Sequence, residues 1–219
     1  MKNVTKLFFC ILCLMATAHS IDSLETKIPG TAEDYFPFIV GMVKHFEVLE
    51  PYATGETRYG YHICTETDNI KGERFGLIEE IMFLGPMKIK NTQIYAISGN
   101  QVFLAVTEGP SGKTKYTTRP IILKMPKTKE EIVEWSYHHE RGKDTVYKCE
   151  AKYLPVLETQ WGEFRHLIIV KKSTYSDGDL WGVEKEYYAK DYGLVKCERF
   201  NPQGELVGMA SYEVSKIEK

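Results

Sequence analysis

The hydrophobic pattern from residue 42 to the C-terminus has a period of two, which is typical of β-strands with one buried face. In the clearest segment, apolar side chains alternate with charged ones: Tyr147, Cys149, Ala151 and Tyr153 against Lys148, Glu150 and Lys152. A similar alternation runs from Leu206 to Val214 and predicts the last strand. Both segments are therefore predicted to be half-buried strands.

Further segments alternate less regularly and are rich in Tyr, Val, Ile, Phe and Thr, which favour a pleated surface. They are Met42 to Leu49, Arg58 to Glu66, Arg74 to Leu84, Thr92 to Ile97, Gln101 to Thr107, Lys115 to Lys124, Phe164 to Lys172, Val183 to Ala189 and Leu194 to Phe200. Turn residues such as Ser98-Gly99-Asn100 separate many of them. Short strands joined by such turns predict an antiparallel meander.

Helical signals are weak. Thr128 followed by Glu131 resembles a helix cap and predicts one or two turns within Lys127 to Trp135. Pro155 and Pro202 are expected to bound strands. Because almost no helix is available to cover the sheet, the sheet must curve over its own face. The predicted fold is all-β, a curved antiparallel sheet forming an open barrel or sandwich with at most one or two short helices.

The N-terminus has the organisation of a secretory signal peptide. Basic residues precede an apolar run over residues 7–15, and small residues follow as far as Ser20. The run is about half of the ~20 residues that cross a bilayer, so a cleaved leader is favoured over a membrane anchor. Cys10 and Cys13 each follow a large apolar residue, whereas lipid attachment requires a small one. We expect a soluble periplasmic or extracellular protein without a transmembrane anchor after cleavage.

The remaining chain shows no linker, internal repeat or low-complexity stretch. We therefore predict a signal peptide over residues 1–20, a flexible segment over residues 21–34 and a single antiparallel β domain over residues 35–219. The chain has 28 Lys and Arg against 30 Asp and Glu residues, and loss of the leader removes only basic ones. This acidic balance argues against a nucleic-acid partner, which requires a basic surface.

Three cysteines remain after the leader, at Cys64, Cys149 and Cys197. Their spacing contains no Cys-x-x-Cys pair, which argues against a zinc or redox motif. One disulfide with one buried thiol and three buried free thiols are both compatible with an exported protein, and the second is favoured.

Candidate catalytic groups all have simpler explanations. Residues 109–114 resemble the end of a phosphate-binding loop but are followed by a β pattern, which indicates a hairpin turn. His138 and His139 would point to opposite sides of a strand, so they do not bind one metal together. Glu184 and Glu186 share a strand face and are expected to be solvated. We predict no enzymatic activity, no cofactor and no metal site.

Aromatic residues on the predicted inner faces are the candidate ligand-binding or packing face. They are Trp135, Tyr137, Tyr147, Tyr153, Tyr188 and Tyr212.

Three segments resemble a known group of sequences. Asp34 to Gly41 resembles its Tyr-Phe-Pro-hydrophobic-x-x-Gly motif, and Glu186 to Lys196 resembles its late strand-turn-strand motif, in which Gly193 permits a tight turn or bulge. Ile122 to Pro126, followed by Trp135, resembles its middle section. The group is the DUF3108-like, or TapB-like, family of exported bacterial proteins of unknown function. The resemblance implies a curved antiparallel sheet related in shape to the lipoprotein carriers LolA and LolB, and it implies no established activity.

Two functional hypotheses follow from export, the β pattern and this resemblance. The first is a non-enzymatic envelope protein that binds an apolar ligand or lipid on the concave face of its sheet. The alternative is a structural or protein-interaction module of the cell envelope, with another envelope protein as its partner.

Overall fold

The computed structural model describes residues 26–50, 55–84, 86–110, 112–138 and 144–219. The predicted signal peptide lies outside these described residues. Within them the chain is almost entirely β, and all of its strands join one antiparallel sheet. The all-β prediction is therefore confirmed.

The sheet contains 13 strands, and short helical turns accompany it. In chain order the elements are α1 (Ala32–Tyr35), β1 (Val43–Val48), β2 (Arg58–Ile70), β3 (Glu73–Leu84), β4 (Met87–Ser98), β5 (Gln101–Gly109), β6 (Gly112–Lys115), β7 (Ile121–Lys124), β8 (Val133–His138), β9 (Thr145–Thr159), β10 (Gly162–Ser176), β11 (Asp179–Ala189), β12 (Gly193–Phe200), a 3-10 turn (Gly208–Ala210) and β13 (Tyr212–Glu218).

Two meanders make up the sheet, and they join where the first strand pairs with the last. The spatial order is β6-β5-β4-β3-β2-β1-β13-β12-β11-β10-β9-β8, and β7 pairs with β5. In the joining ladder, Phe46 of β1 lies opposite Val214 of β13. The sheet curves so that β2–β5 face β8–β12, and Phe36 lies between them, with its ring centroid 4.8 Å from that of Tyr95 and 5.7 Å from that of Tyr188.

The curved sheet remains an open barrel. Among the described residues, no backbone ladder joins β7 to β8 at the two ends of the curve. A side chain spans this seam instead, because the indole Nε1 of Trp135 donates a hydrogen bond of 2.9 Å to the carbonyl of Ile121.

One part of the interior is tightly filled, and we call it the packed core. It is a cluster of buried side chains around Phe36 and Phe38, and both the β2–β5 and the β8–β12 walls contribute to it. The Phe38 ring occupies the position where a residue-76 side chain would begin, since a Cβ on Gly76 would lie 2.2 Å from it. Each phenylalanine buried in this way contributes about 1.5–3 kcal/mol.

The helix lies in a different place from the one predicted. Instead of a helix within Lys127 to Trp135, Thr128 pairs with Lys27 in a β-bridge, and the amide of Lys129 donates to the carbonyl of Thr26. Extended pairing with the N-terminal segment therefore outweighs the local capping signal. These contacts hold Thr26 and Lys27 against the chain that precedes β8.

The observed helix α1 has its own cap. The carboxylate of Asp34 accepts a hydrogen bond of 2.6 Å from the amide of Thr31, which satisfies one donor ahead of the helix. At its other end, the buried hydroxyl of Tyr35 donates to the carbonyl of Pro29 at 3.1 Å. The Tyr-Phe-Pro motif therefore anchors the N-terminal segment over the packed core.

The predicted last strand begins too early. Leu206 makes only an isolated bridge with Phe200, and the chain then forms the 3-10 turn before β13 starts at Tyr212. The hydroxyl of Ser211 explains the break, because it donates to the carbonyl of Val207 at 2.9 Å and accepts from the amide of Arg199 at 2.8 Å. A side chain that bonds to the backbone competes with the strand ladder.

Two further boundaries differ from prediction. The segment Lys115 to Lys124 is not one strand, because β6 ends at Lys115 and β7 begins at Ile121. Pro155 lies within β9 rather than at its end. The ladder passes from Leu154 opposite Leu167 to Val156 opposite Arg165 without a change of register, and it skips Pro155, which has no amide proton to donate.

The tight turn predicted at Gly193 is confirmed. Gly193 has φ +74°, and Asp191 also adopts a left-handed conformation with φ +67°. Glycine tolerates such a φ without steric cost, and aspartate tolerates it better than most residues. This turn between β11 and β12 presents backbone carbonyls toward β1, where they form part of the site described below.

All three described cysteines are buried and free, as favoured from the sequence. Burial raises the pKa of Cys149 to about 12 and also raises the pKa values of Cys64 and Cys197. The three thiols are therefore protonated, unreactive packing groups at neutral pH.

Candidate ligand cavity

Beside the packed core, the two walls of the sheet enclose a cavity of about 490 Å³. The two regions are contiguous, because Phe36, Val170 and Tyr188 belong to the core and also line the cavity. A volume of this size falls within the range of about 300–1,000 Å³ that is usual for small-molecule sites.

Strand register places a layer of charged side chains on one wall. Lys172 of β10 lies opposite Cys149 of β9 and Glu184 of β11, and Glu184 lies opposite Arg199 of β12. The next inner position along β11 is Glu186. Strand alternation therefore places Glu184 and Glu186 on one face, as predicted, but this face lines the cavity. The expectation that they are ordinary solvated glutamates was wrong.

Glu184 is held by two cations. Lys172 forms an ion pair with its Oε1, and the Nε of Arg199 lies 2.7 Å from its Oε2. The side chains of Lys172 and Glu184 are only 23% and 16% exposed. Burial alone would raise the pKa of Glu184, but Lys172 and Arg199 together lower it to about 2. Glu184 is therefore a fixed carboxylate with both oxygens engaged.

Glu186 has the opposite electrostatic character. Its Oε2 accepts a hydrogen bond of 2.9 Å from the hydroxyl of Tyr188, and no cation in the described part of the chain lies within 4 Å of it. Burial raises its pKa above the ordinary value; Lys172 counteracts this effect, and Glu184 adds to it. Neighbouring glutamates on one strand face thus favour different protonation states.

The facing wall carries a second charged group. Nε2 of His62 lies 3.2 Å from Oε1 of Glu80, and Asn91 donates to the other oxygen at 3.1 Å. Although burial raises the pKa of Glu80, His62 and Asn91 lower it overall. Glu80, like Glu184, is therefore compensated by its own neighbours.

Within the described part of the chain, the hydrogen-bond partners of Lys44 are neutral. It extends from β1 to the β11–β12 turn, where its Nζ donates to the carbonyls of Tyr192 at 3.1 Å and Leu194 at 3.3 Å. Burial lowers its pKa to about 8, with a smaller opposing effect from Cys64. Gly193 leaves room for the ammonium group, because a Cβ there would lie 3.1 Å from Nζ.

The six aromatic residues selected from the sequence occupy three different environments. Tyr137, Tyr147, Tyr188 and Tyr212 line the cavity. Trp135 lies at the seam, and the hydroxyl of Tyr153 lies 2.7 Å from Nδ1 of His166. Four of these side chains therefore share the cavity, and the other two lie outside its lining.

Sequence reasoning missed the charged residues of the cavity. They are Lys44, His62, Glu80, Lys172, Glu184, Glu186 and Arg199. The sequence did contain a signal for a charged interior. Lys172 follows Ile168 and Val170 at intervals of two and therefore shares their strand face, which is buried in the core. When adjacent strands both carry charged residues on the face that is otherwise buried, a polar interior is indicated. Among the described residues, no cluster of three or more His, Cys, Asp or Glu side chains is arranged to hold a metal ion.

The fold and cavity define a class of protein, a curved single-sheet β protein with a polar, partly enclosed interior. Two solved structures share this architecture. One is a protein of Parabacteroides distasonis assigned as a lipoprotein, with a TM-score of 0.51 and 12% identity over 84% of this chain and 98% of that one. The other is a protein of Bacteroides fragilis assigned as exported and described as having a YmcC-like fold, with a TM-score of 0.51 and 12% identity over 89% and 100% of the two chains.

These likenesses show a common fold. No family model matches the chain, and no curated protein sequence matches it. Membership of the DUF3108-like family therefore stays a prediction. Within the described ranges, no helix has the length and apolar character needed to cross a membrane.

Proposed function

We propose that this protein is an exported, non-enzymatic binding protein of the bacterial cell envelope that holds a small amphiphilic molecule in its cavity. The observation that carries the proposal is the 490 Å³ space between two walls of a sheet whose adjoining core is well packed. A fold that fills one part of its interior with aromatic rings has side chains available to fill the rest. An unfilled space with ordered charges is more typical of a binding site.

The lining supports an amphiphilic ligand rather than a purely apolar one. Ile78, Met82 and Leu104 supply apolar surface from β3 and β5. The charged layer around Lys172 and Glu184 lies on the facing wall. A purely apolar molecule would cover these charges without hydrogen-bonding to them, which is unfavourable. The apolar ligand or lipid expected from the sequence therefore needs a polar group.

Export is supported by the leader pattern in residues 1–20 and by the assignments of the two proteins that share the fold. A non-enzymatic role is supported by the ion pairs. Carboxylates with divergent pKa values often serve as acid and base, but both oxygens of Glu184 are engaged by Lys172 and Arg199. Glu184 is therefore not free to attack a substrate or to accept a proton from it.

The alternative, a structural or protein-interaction module, finds less support. A filled interior combined with a contiguous apolar surface would favour it. The interior contains the cavity instead, and strongly exposed apolar residues such as Val40, Met87 and Trp181 lie on separate loops and strands.

Two adjacent residues of β3 allow a matched test. Ile78 lines the cavity, whereas Leu77 lines a groove on the opposite face of the sheet. The mature protein, residues 21–219, is titrated with the neutral fluorescent probe N-phenyl-1-naphthylamine. We expect Ile78→Trp to fill the cavity and weaken binding by about tenfold or more, since tenfold corresponds to only about 1.4 kcal/mol. Leu77→Trp is expected to leave binding unchanged.

Two results would overturn the proposal. In one, the wild-type protein binds neither this probe nor any molecule that mass spectrometry detects after organic extraction. In the other, Leu77→Trp weakens binding and Ile78→Trp does not, which would place the probe in the outer groove.

A further inference from the structure

The charges that line the cavity are compensated unequally. Glu184 binds Lys172 and Arg199, and Glu80 binds His62. Lys44 differs because the groups that accept hydrogen bonds from its Nζ are backbone carbonyls, which carry no net charge. Among the described residues, Lys44 is the one lysine or arginine of the cavity lining that makes no ion pair with a carboxylate.

The geometry around Lys44 also leaves it capacity for another bond. A lysine ammonium has three N–H donors, and two of them are directed to the carbonyls of Tyr192 and Leu194. The absence of a side chain at Gly193 keeps the space beside Nζ open. These two carbonyls hold the ammonium group in place without neutralising it.

The turn that supplies these carbonyls is itself fixed. The amide of Asp191 donates to the carbonyl of Asp34 at 2.6 Å, which ties the β11–β12 turn to the end of α1. The amide of Lys190 donates to the carbonyl of His166 at 3.1 Å. The ammonium group is therefore held by a preformed support and needs little reorganisation to bind a ligand.

We infer that Lys44 anchors an anionic oxygen group of the cavity ligand, a carboxylate or a phosphate ester. This inference rests on the proposed function and specifies its ligand. A buried ammonium without a counter-ion is unfavourable, and an oxyanion beside it supplies both the opposite charge and an acceptor for the remaining N–H. Glu186 differs from Lys44 in that a side chain already serves it, because its Oε2 accepts the hydrogen bond from the hydroxyl of Tyr188.

Displacement by molecules of equal chain length tests the inference. The wild-type protein, loaded with N-phenyl-1-naphthylamine, is titrated with decanoate, decyl phosphate, decanol and decylamine. We expect an anion to displace the probe at a concentration about tenfold lower than decanol does, in line with the strength of a charge-assisted hydrogen bond. The two anions then identify which headgroup is preferred.

Lys44→Met retains the length of the side chain and removes its charge. We expect this variant to lose the preference for the anion while its affinity for decanol stays unchanged, and we expect Lys44→Arg to retain the preference. Lys216→Met is the matched control, because Lys216 lies on the neighbouring strand β13 and pairs with Glu218 at the surface. It should behave like the wild type.

The outcomes separate this inference from the proposed function. If the probe binds in the cavity but the wild type does not distinguish decanoate or decyl phosphate from decanol, the role of Lys44 is overturned and the binding function stands. The same conclusion follows if Lys44→Met weakens binding of decanol and the anions equally, because a purely structural role would act on all ligands alike. If Leu77→Trp weakens probe binding and Ile78→Trp does not, the proposed function itself fails, whatever the result for Lys44.

Discussion

The packed core and the cavity are built by the same strands, yet their chemistry is opposite. On β10, Ile168 and Val170 belong to the core, and the next inner residue is Lys172. On β11, Tyr188 belongs to the core, and the next inner residues are Glu186 and Glu184. The transition from apolar to charged therefore occurs within two residues on each of two paired strands.

This difference suggests separate roles for the two regions, stability for the packed core and ligand binding for the charged layer. Burial of apolar surface is the main favourable contribution to folding, whereas buried ion pairs seldom stabilise more than apolar residues of similar volume. The charged layer therefore needs an explanation other than stability, and binding a polar ligand supplies one. The following predictions test whether the two regions divide these roles, from the largest expected effect to the smallest.

Removal of an aromatic ring from the packed core should have the largest effect. Phe38 is 3% exposed and packs against Phe36 and the backbone of Gly76. Phe38→Ala should reduce the free energy of unfolding by about 3–5 kcal/mol, as measured by urea denaturation. Trp181→Ala is the control, since Trp181 is 73% exposed and should change stability by less than about 0.5 kcal/mol. Equal effects of the two substitutions would contradict the role of the packed core.

Glu184→Gln should have the next largest effect. It leaves Lys172 and Arg199 inside the sheet without the carboxylate that neutralises them. We expect a loss of about 3 kcal/mol in the free energy of unfolding. Glu163→Gln is the matched control, because Glu163 pairs with Arg165 at the surface, where such a pair contributes about 0–1 kcal/mol. A negligible loss for Glu184→Gln would mean that the cavity charges are freely solvated.

The two glutamates should give opposite pH dependences. Because Lys172 and Arg199 hold the pKa of Glu184 at about 2, below the ordinary value of 4.5, its contribution to stability is present above pH 4.5. That contribution is lost as the pH falls from 4.5 toward 2. Urea denaturation across this range should show a steeper acid destabilisation for the wild type than for Glu184→Gln.

Glu186 has a raised pKa, so its contribution is greatest below its ordinary pKa and is lost as the pH rises through the folded-state value. Relative to the wild type, Glu186→Gln should therefore gain stability between acidic and neutral pH. A decrease over that interval would show that the carboxylate of Glu186 is stabilised rather than penalised by burial.

The reactivity of the buried cysteines tests the packing around both regions, and it is the smallest of the expected effects. Cys64, Cys149 and Cys197 are buried and free, and burial raises their pKa values. The native mature protein should not react with Ellman's reagent on the timescale in which the denatured protein exposes all its thiols. Rapid reaction of a native thiol would indicate that the sheet opens locally.

Strand positions could be predicted from the sequence because alternation is a local property. The face containing Tyr147 and Cys149 was identified from it directly, and both residues line the cavity. The start of β13 could not be predicted in this way, because it depends on the hydroxyl of Ser211 bonding to residues on two separate segments.

The cavity was harder to predict than the strands. Its existence depends on the pairing of β1 with β13, which joins the two meanders in the middle of the sheet and is not encoded in any local pattern. Lys172 and Glu184 resemble surface residues until the register places them side by side on an inner wall. The concave face, which was expected to be apolar, therefore also carries charged side chains.

The most direct test of the central claim is a crystal structure of the mature protein with bound decanoate. We predict density for the alkyl chain inside the sheet beside Ile78 and Leu104, with the carboxylate within hydrogen-bonding distance of Nζ of Lys44. Density confined to the outer groove beside Leu77, or an interior occupied only by water at saturating decanoate, would contradict the account.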